Sequence, residues 1–96
     1  MSRKNLISLG DAIKAYFKAR RFDEQILENN LKGNWERVVG ANFASYTQEI
    51  DLRYGILVVK ISSSVVRNEL MMHKSVLIKS LNESVKSNVI KDIQFR

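Results

Sequence analysis

Cysteine and proline are both missing from the 96 residues, which include only four glycines and one histidine. Without cysteine there are no disulfides, thiolate zinc sites or cysteine nucleophiles, and a reducing compartment suits the chain. One histidine cannot build a multi-histidine metal centre. With so few turn-forming residues, connections must be few and short. The longest apolar run is Ile56-Leu57-Val58-Val59, far short of the about 20 residues a spanning helix needs. Charges at Arg3, Lys4, Asp11, Lys14, Lys18, Arg20 and Arg21 interrupt the first 21 residues, so no secretory leader is expected there. The expectation is a cytoplasmic protein with no membrane partner. Neither GxGxxG nor GxxxxGK[ST] occurs, and the acids are scattered, so neither a nucleotide cradle nor a carboxylate pair is in view. No enzyme, no metal and no cofactor are expected.

What is present is enough apolar residue, 45% of the chain, for one small globular domain over residues 1–96. Net charge is +6, unevenly placed. Residues 1–21 hold six basic residues and one acid, giving +5, whereas residues 22–96 hold ten and nine, giving +1. Such asymmetry points to an anionic partner, nucleic acid ahead of membrane. A basic face that serves only solubility is the plain alternative.

The apolar period places the elements. Leu6, Leu9, Ile13, Tyr16 and Phe17 share one arc of a helix over residues 9–20, and this arc should pack. Lys14, Lys18 and Arg21 share the opposite side, so residues 1–22 read as a basic helical region. Phe22-Asp23 reads as a break, with Asp23 capping a second helix to Phe43 whose stripe is Leu27, Leu31, Trp35, Val38 and Val39. Gly33 marks a kink or a break into two helices, and Gly40 a place for close packing. The period then switches to two over 47–53 and 56–62, joined at Tyr54-Gly55 as an antiparallel hairpin. Ser62-Ser63-Ser64 offers a hydroxyl cap for a third helix to Val85, with Val66, Leu70, Leu77 and Leu81 on one face and His73 among them. A last strand covers 89–95. The fold class is α+β, helices on one face of a three-stranded sheet, in the order α-α-β-β-α-β.

Each singled-out residue has a plain structural reading. Trp35, the only tryptophan, anchors the core rather than stacking on a base. His73 is a packed imidazole rather than a catalytic one; of Met71 and Met72 one packs and the other is exposed, and an exposed Met72 would serve an interface, although gap-filling in the core is the commoner role. The basic helix is the exception. Lys14, Lys18 and Arg21 with Arg20 beside them, and the Arg3-Lys4 tail, form the candidate DNA contacts, because phosphate binding asks for mobile cations rather than precise geometry.

The middle of the chain carries a wider arrangement: Trp35-Glu36-Arg37-Val38-Val39-Gly40, a strand after Tyr46-Thr47, Gly55-Ile56-Leu57-Val58-Val59, then Ser62-Ser63-Ser64-Val65-Val66-Arg67-Asn68-Glu69-Leu70, Leu81-Asn82-Glu83 and a closing strand. In order and spacing this resembles the DciA family of bacterial replicative-helicase loaders, over roughly residues 24–96, and its short form resembles the versions found in Bacteroidetes. The resemblance implies a KH-like domain, affinity for DNA and the replicative DNA helicase as partner; the DNA expected on the basic first helix is preferably single-stranded. The GXXG loop of true KH domains is missing, because Gly40 leads into Ala41-Asn42-Phe43, so the KH clamp does not carry over. Longer family members engage the helicase through an extension after this domain. This chain stops at Arg96, so either the folded domain contacts the helicase itself or that contact is weaker. Two other readings stay open, a protein-interaction module without nucleic-acid binding and an RNA-binding, ribosome-associated domain.

Overall fold

A computed structural model describes residues 8–96. The order is α1 (Leu9–Val39), α2 (Ala41–Ala44), β1 (Thr47–Arg53), β2 (Ile56–Ile61), α3 (Ser64–Met72), α4 (Lys74–Ser84) and β3 (Asp92–Phe95). The class is α+β, as the switching period implies.

The three strands form one mixed sheet with β2 in the middle. β1 and β2 are antiparallel, with Ile50 opposite Val59 and Leu52 opposite Leu57; β2 and β3 are parallel, with Leu57 beside Ile93 and Val59 beside Phe95. A parallel neighbour requires a crossover, and α3 and α4 supply it. The strands alternate as a half-covered sheet should. Leu52, Leu57, Val59, Ile61 and Ile93 are buried, while Lys60 and Gln94 between them are exposed. Leu31 and Trp35 of α1, Val66 and Leu70 of α3, Leu77 and Leu81 of α4, and Ile90 complete the core. Trp35 anchors it as expected: only 3% exposed, its Nε1 donates to Thr47 Oγ1 at 2.9 Å. Glu28 fixes α1 to the sheet edge, where its Oε1 accepts the free Leu52 N–H of β1 at 2.7 Å.

Several expectations need correction. No break occurs at Phe22-Asp23, and Asp23 caps nothing: α1 runs unbroken through both and through Gly33 to Val39. At 31 residues it is about 46 Å long at 1.5 Å per residue, and it gives the molecule its 63 Å long axis. The arc of Leu9, Ile13, Tyr16 and Phe17 does not pack. These side chains are 77%, 46%, 57% and 52% exposed, because the first half of α1 projects from the body. Leu6 lies outside the described residues. Gly40 brings no close packing, since nothing lies within 4 Å of its Cβ direction; with φ at +90° it ends α1. The third helix is two, split at His73, which caps α3 and precedes α4. That places the imidazole in solvent rather than in the core, with Nε2 3.9 Å from Glu69 Oε2. Met71 and Met72 are both exposed, so neither packs as one of them was expected to. The last strand begins at Asp92 rather than Val89, because residues 90 and 91 hydrogen-bond elsewhere, as described below.

Candidate nucleic-acid interface

The projecting half of α1 forms for local reasons. Ser8 caps it, its Oγ accepting from the Asp11 N–H at 3.1 Å, and Asp11 in the first turn complements the helix dipole. Ala12, Ala15 and Ala19, with lysine and arginine between them, are strong helix formers.

At 100° per residue, Lys14, Lys18 and Arg21 fall within about 60° of one another, and the centre of the group lies about 120° round the helix from that of the apolar arc, with Arg21 beside Phe17. Lys14 and Lys18 are exposed and Arg21 half-buried, and none of the three makes an ion pair among the described residues. Arg20 is not part of this face. It lies on the apolar arc, where its guanidinium carbon sits 5.6 Å from the Tyr16 ring centroid and Nη1 donates to the Tyr16 hydroxyl at 3.0 Å. That hydrogen bond, more than nearby Glu24 and Asp23, raises the guanidinium's already high pKa. Tyr16 in turn meets Phe17 edge-on at 5.7 Å. The structure thus brings Lys14, Lys18 and Arg21 together and sets Arg20 apart on the neighbouring arc. Arg3 and Lys4 lie outside the described residues.

Elsewhere, three of the ten cations of residues 22–96 form ion pairs. Lys32 pairs with Glu28 at 3.6 Å, Arg53 with Asp51 at 3.2 Å and Lys74 with Asp92 at 3.0 Å. Asp92 is held below the usual carboxylate range, chiefly by its hydrogen bond with Lys74. A hollow of about 660 Å³ lies between α1 and β1. Glu28, Glu36, Glu49 and Asp51 line it with only Lys32 to balance them, so it repels phosphate. Among the described residues no three histidine, cysteine or acidic side chains converge as metal ligands, and no helix is long and apolar enough to cross a membrane. The arrangement offers charge and exposed surface. Sequence reasoning missed the cations around the loop between α4 and β3, because they are far from residues 1–21 in the chain and join them only in the fold.

A family model described as "Dna[CI] antecedent, DciA" matches residues 8–95. Among curated proteins, a "UPF0232 protein" of Mycolicibacterium paratuberculosis is 27% identical over 86 residues, covering 90% of this chain and 48% of its own length. The chain therefore spans about half of that relative. No solved structure matches.

Proposed function

Because the chain belongs to the DciA family, we propose that it is a DNA-binding accessory protein of bacterial DNA replication that acts in the cytoplasm beside the replicative helicase, without catalysing a reaction itself. The family description supports the helicase as partner. The observation that carries the DNA half is the projecting half of α1, which holds Lys14, Lys18 and Arg21 on one side, free of ion pairs among the described residues. Such a face neutralises phosphates and releases their counterions.

Three contacts give a log–log salt slope of about −2 on single strands, and without a base-reading element affinity is micromolar or weaker at physiological salt. Fluorescence anisotropy with labelled single-stranded DNA, duplex and RNA tests this directly. Reversing Lys14, Lys18 and Arg21 to glutamate should weaken DNA binding at least tenfold and flatten the slope, with the fold intact because these side chains face away from the core. A triple variant with unchanged affinity and slope makes this face a solvated surface only and moves the interaction-module reading ahead. Stronger binding to RNA than to either DNA form would favour the ribosome-associated reading.

A protein-interaction module is the second reading, favoured by the exposure of Leu9, Ile13, Tyr16 and Phe17 on the other side of the same helix. An apolar surface of this kind marks an interaction site more often than chance. Capture of the replicative helicase by the wild-type chain, lost in Ile13→Asp with Phe17→Asp, joins the two readings. Capture without any DNA binding leaves the module alone.

A further inference from the structure

Among the described residues, two adopt a positive φ although they are not glycine: Tyr54 at 51° and Lys86 at 53°. Each occupies a position where glycine or asparagine is the cheaper choice. Tyr54 and Gly55 are the central residues of the two-residue β1–β2 turn, and both have positive φ, as a type I′ turn demands. Lys86 follows the cap of α4 in a Schellman arrangement: its N–H donates to Glu83 O at 3.1 Å, and the Ser87 N–H donates to Asn82 O at 3.0 Å. Strain of this kind at an exposed aromatic and an exposed cation is a pointer to function when the two share a surface.

They do share one. Arg20, Tyr54 and Lys91 line a hollow of about 420 Å³ whose floor includes Ser87 and Asn88. Lys79 and Lys86 line a second hollow of about 420 Å³ that shares Ser87 and Asn88. Tyr54 is 68% exposed. Lys79, Lys86 and Lys91 make neither an ion pair nor a side-chain hydrogen bond among the described residues, unlike Lys32, Arg53 and Lys74. The two hollows also contain Glu24 and Glu83, so four cations face two acids. The platform is fixed rather than loose. Asn82 exchanges two hydrogen bonds with the Ile90 peptide groups, and the Lys91 N–H donates to Gly55 O at 2.7 Å, tying loop to turn.

We infer that this rim, formed by the β1–β2 turn, the α4–β3 loop and Arg20, is a second nucleic-acid contact: Lys79, Lys86 and Lys91 hold phosphates of a single strand and a base stacks on Tyr54. It rests on the DNA-binding reading above and extends it, because Arg20 carries the path from the neighbouring Arg21 into the rim. Stacking on an exposed ring requires an unpaired base, so this contact selects single strands over duplex.

The strain makes a clean test possible, since relieving it and losing the ligand go together. Tyr54→Asn and Lys86→Gly should each raise the thermal midpoint by about 2–5 °C. In anisotropy with oligo-dT, Tyr54→Asn should weaken binding about five-fold or more with little change for duplex, and Lys86→Gly should lower the salt slope by about 0.7. Tyr54→Phe keeps the ring and should bind as wild type. If both variants bind oligo-dT as wild type while reversal of Lys14, Lys18 and Arg21 still weakens it, the rim is not a contact and the DNA reading stands. If the wild-type chain binds no nucleic acid, both fall. Variants that melt lower than wild type would refute the strain argument on which the site was chosen.

Discussion

Asn82 is the side chain on which the order of the α4–β3 loop depends. Its Nδ2 donates to Ile90 O at 3.0 Å and its Oδ1 accepts from the Ile90 N–H at 2.9 Å, so one amide satisfies both peptide groups of a residue only 2% exposed. Asn82→Ala removes both bonds and leaves a buried donor and acceptor. At about 1–3 kcal/mol for each stranded group, partly relieved by water, the cost should be about 2–4 kcal/mol. Against a total of about 5–10 kcal/mol for a domain this size, the midpoint should fall by roughly 10–30 °C. Asn82→Asp sharpens the test. The ionised carboxylate still accepts from the Ile90 N–H but turns its other oxygen on the Ile90 carbonyl, whereas the protonated acid can donate there. The folded pKa of the new side chain is therefore raised above its unfolded value of about 3.9. Stability of this variant is greatest below that value and is lost as pH rises through the folded pKa; a penalty of about 3 kcal/mol sets that window at roughly pH 4–6. Native Asp92 behaves oppositely. Its hydrogen bond with Lys74 holds it low, so what it contributes is lost only on further acidification, through its lowered folded pKa. Urea unfolding followed by circular dichroism at pH 4.5 and 7.5, each referred to wild type at the same pH, measures the difference. A gap for Asn82→Asp that is equal at both pH values, or an Asn82→Ala variant within about 0.5 kcal/mol of wild type, would refute the two-bond account.

Three further outcomes are expected. Trp35→Ala should cost about 3–5 kcal/mol as a large buried aromatic, whereas Trp35→Phe, which keeps most of the ring and loses the bond to Thr47, should cost about 1–2 kcal/mol; urea midpoints by circular dichroism separate them, and an unchanged midpoint for the alanine variant would contradict burial. Gly55→Ala should cost about 1–3 kcal/mol, because φ is +83° and the new Cβ would meet Val89 O at 3.1 Å and Lys91 Cγ at 3.0 Å; a neutral effect in the same assay would show that the turn and loop are not held together. Amide hydrogen exchange should protect the α1 amides near Leu31 and Trp35 to close to the global stability and those between Ile13 and Phe17 far less, and uniform protection would show that the projecting half is covered in solution.

The strands were legible because a period of two survives in Ile50 and Leu52 and in Leu57, Val59 and Ile61, and 47–53 needs no revision. The helix boundaries were less so. Leu9, Ile13, Tyr16, Leu27, Leu31 and Val38 keep one phase along α1, but Arg20 and Glu24 occupy that arc between the apolar groups and make one helix read as two. The opposite error occurred at His73. Val66, Leu70, Leu77 and Leu81 stay in phase across the α3–α4 junction, so the pattern hides a break. The third strand was read too long because Val89 and Ile90 are apolar for another reason: Ile90 packs in the core while its peptide groups bond to Asn82. Of the candidate site, the charge on the first helix was visible as a count and a spacing. The partnership of Arg20 with Tyr16 could have been suspected from their separation by four residues. The rim could not, since Arg20, Tyr54 and Lys86 are more than thirty residues apart and no period links them.

The length of α1 bears on what its exposed half is for. A segment of about a dozen residues is a marginal helix alone, because nucleation is the costly step. Here nucleation is supplied by the packed half, where Leu31 and Trp35 are buried and Glu28 is bonded to the sheet edge, and the capped, alanine-rich segment before it has only to propagate. The body thus supports a helix whose exposed half shows cations on one side and leucine, isoleucine, tyrosine and phenylalanine on the other. If solubility were the sole requirement, the apolar side would be replaced by polar residues at no cost to the core, because none of its side chains reaches the core. If packing were the requirement, the helix would fold back rather than extend the molecule to 63 Å. A helix held out in this way, with two unlike faces, fits a protein that must touch a polyanion and a protein surface together, which is the geometry asked of an accessory factor working between DNA and a helicase.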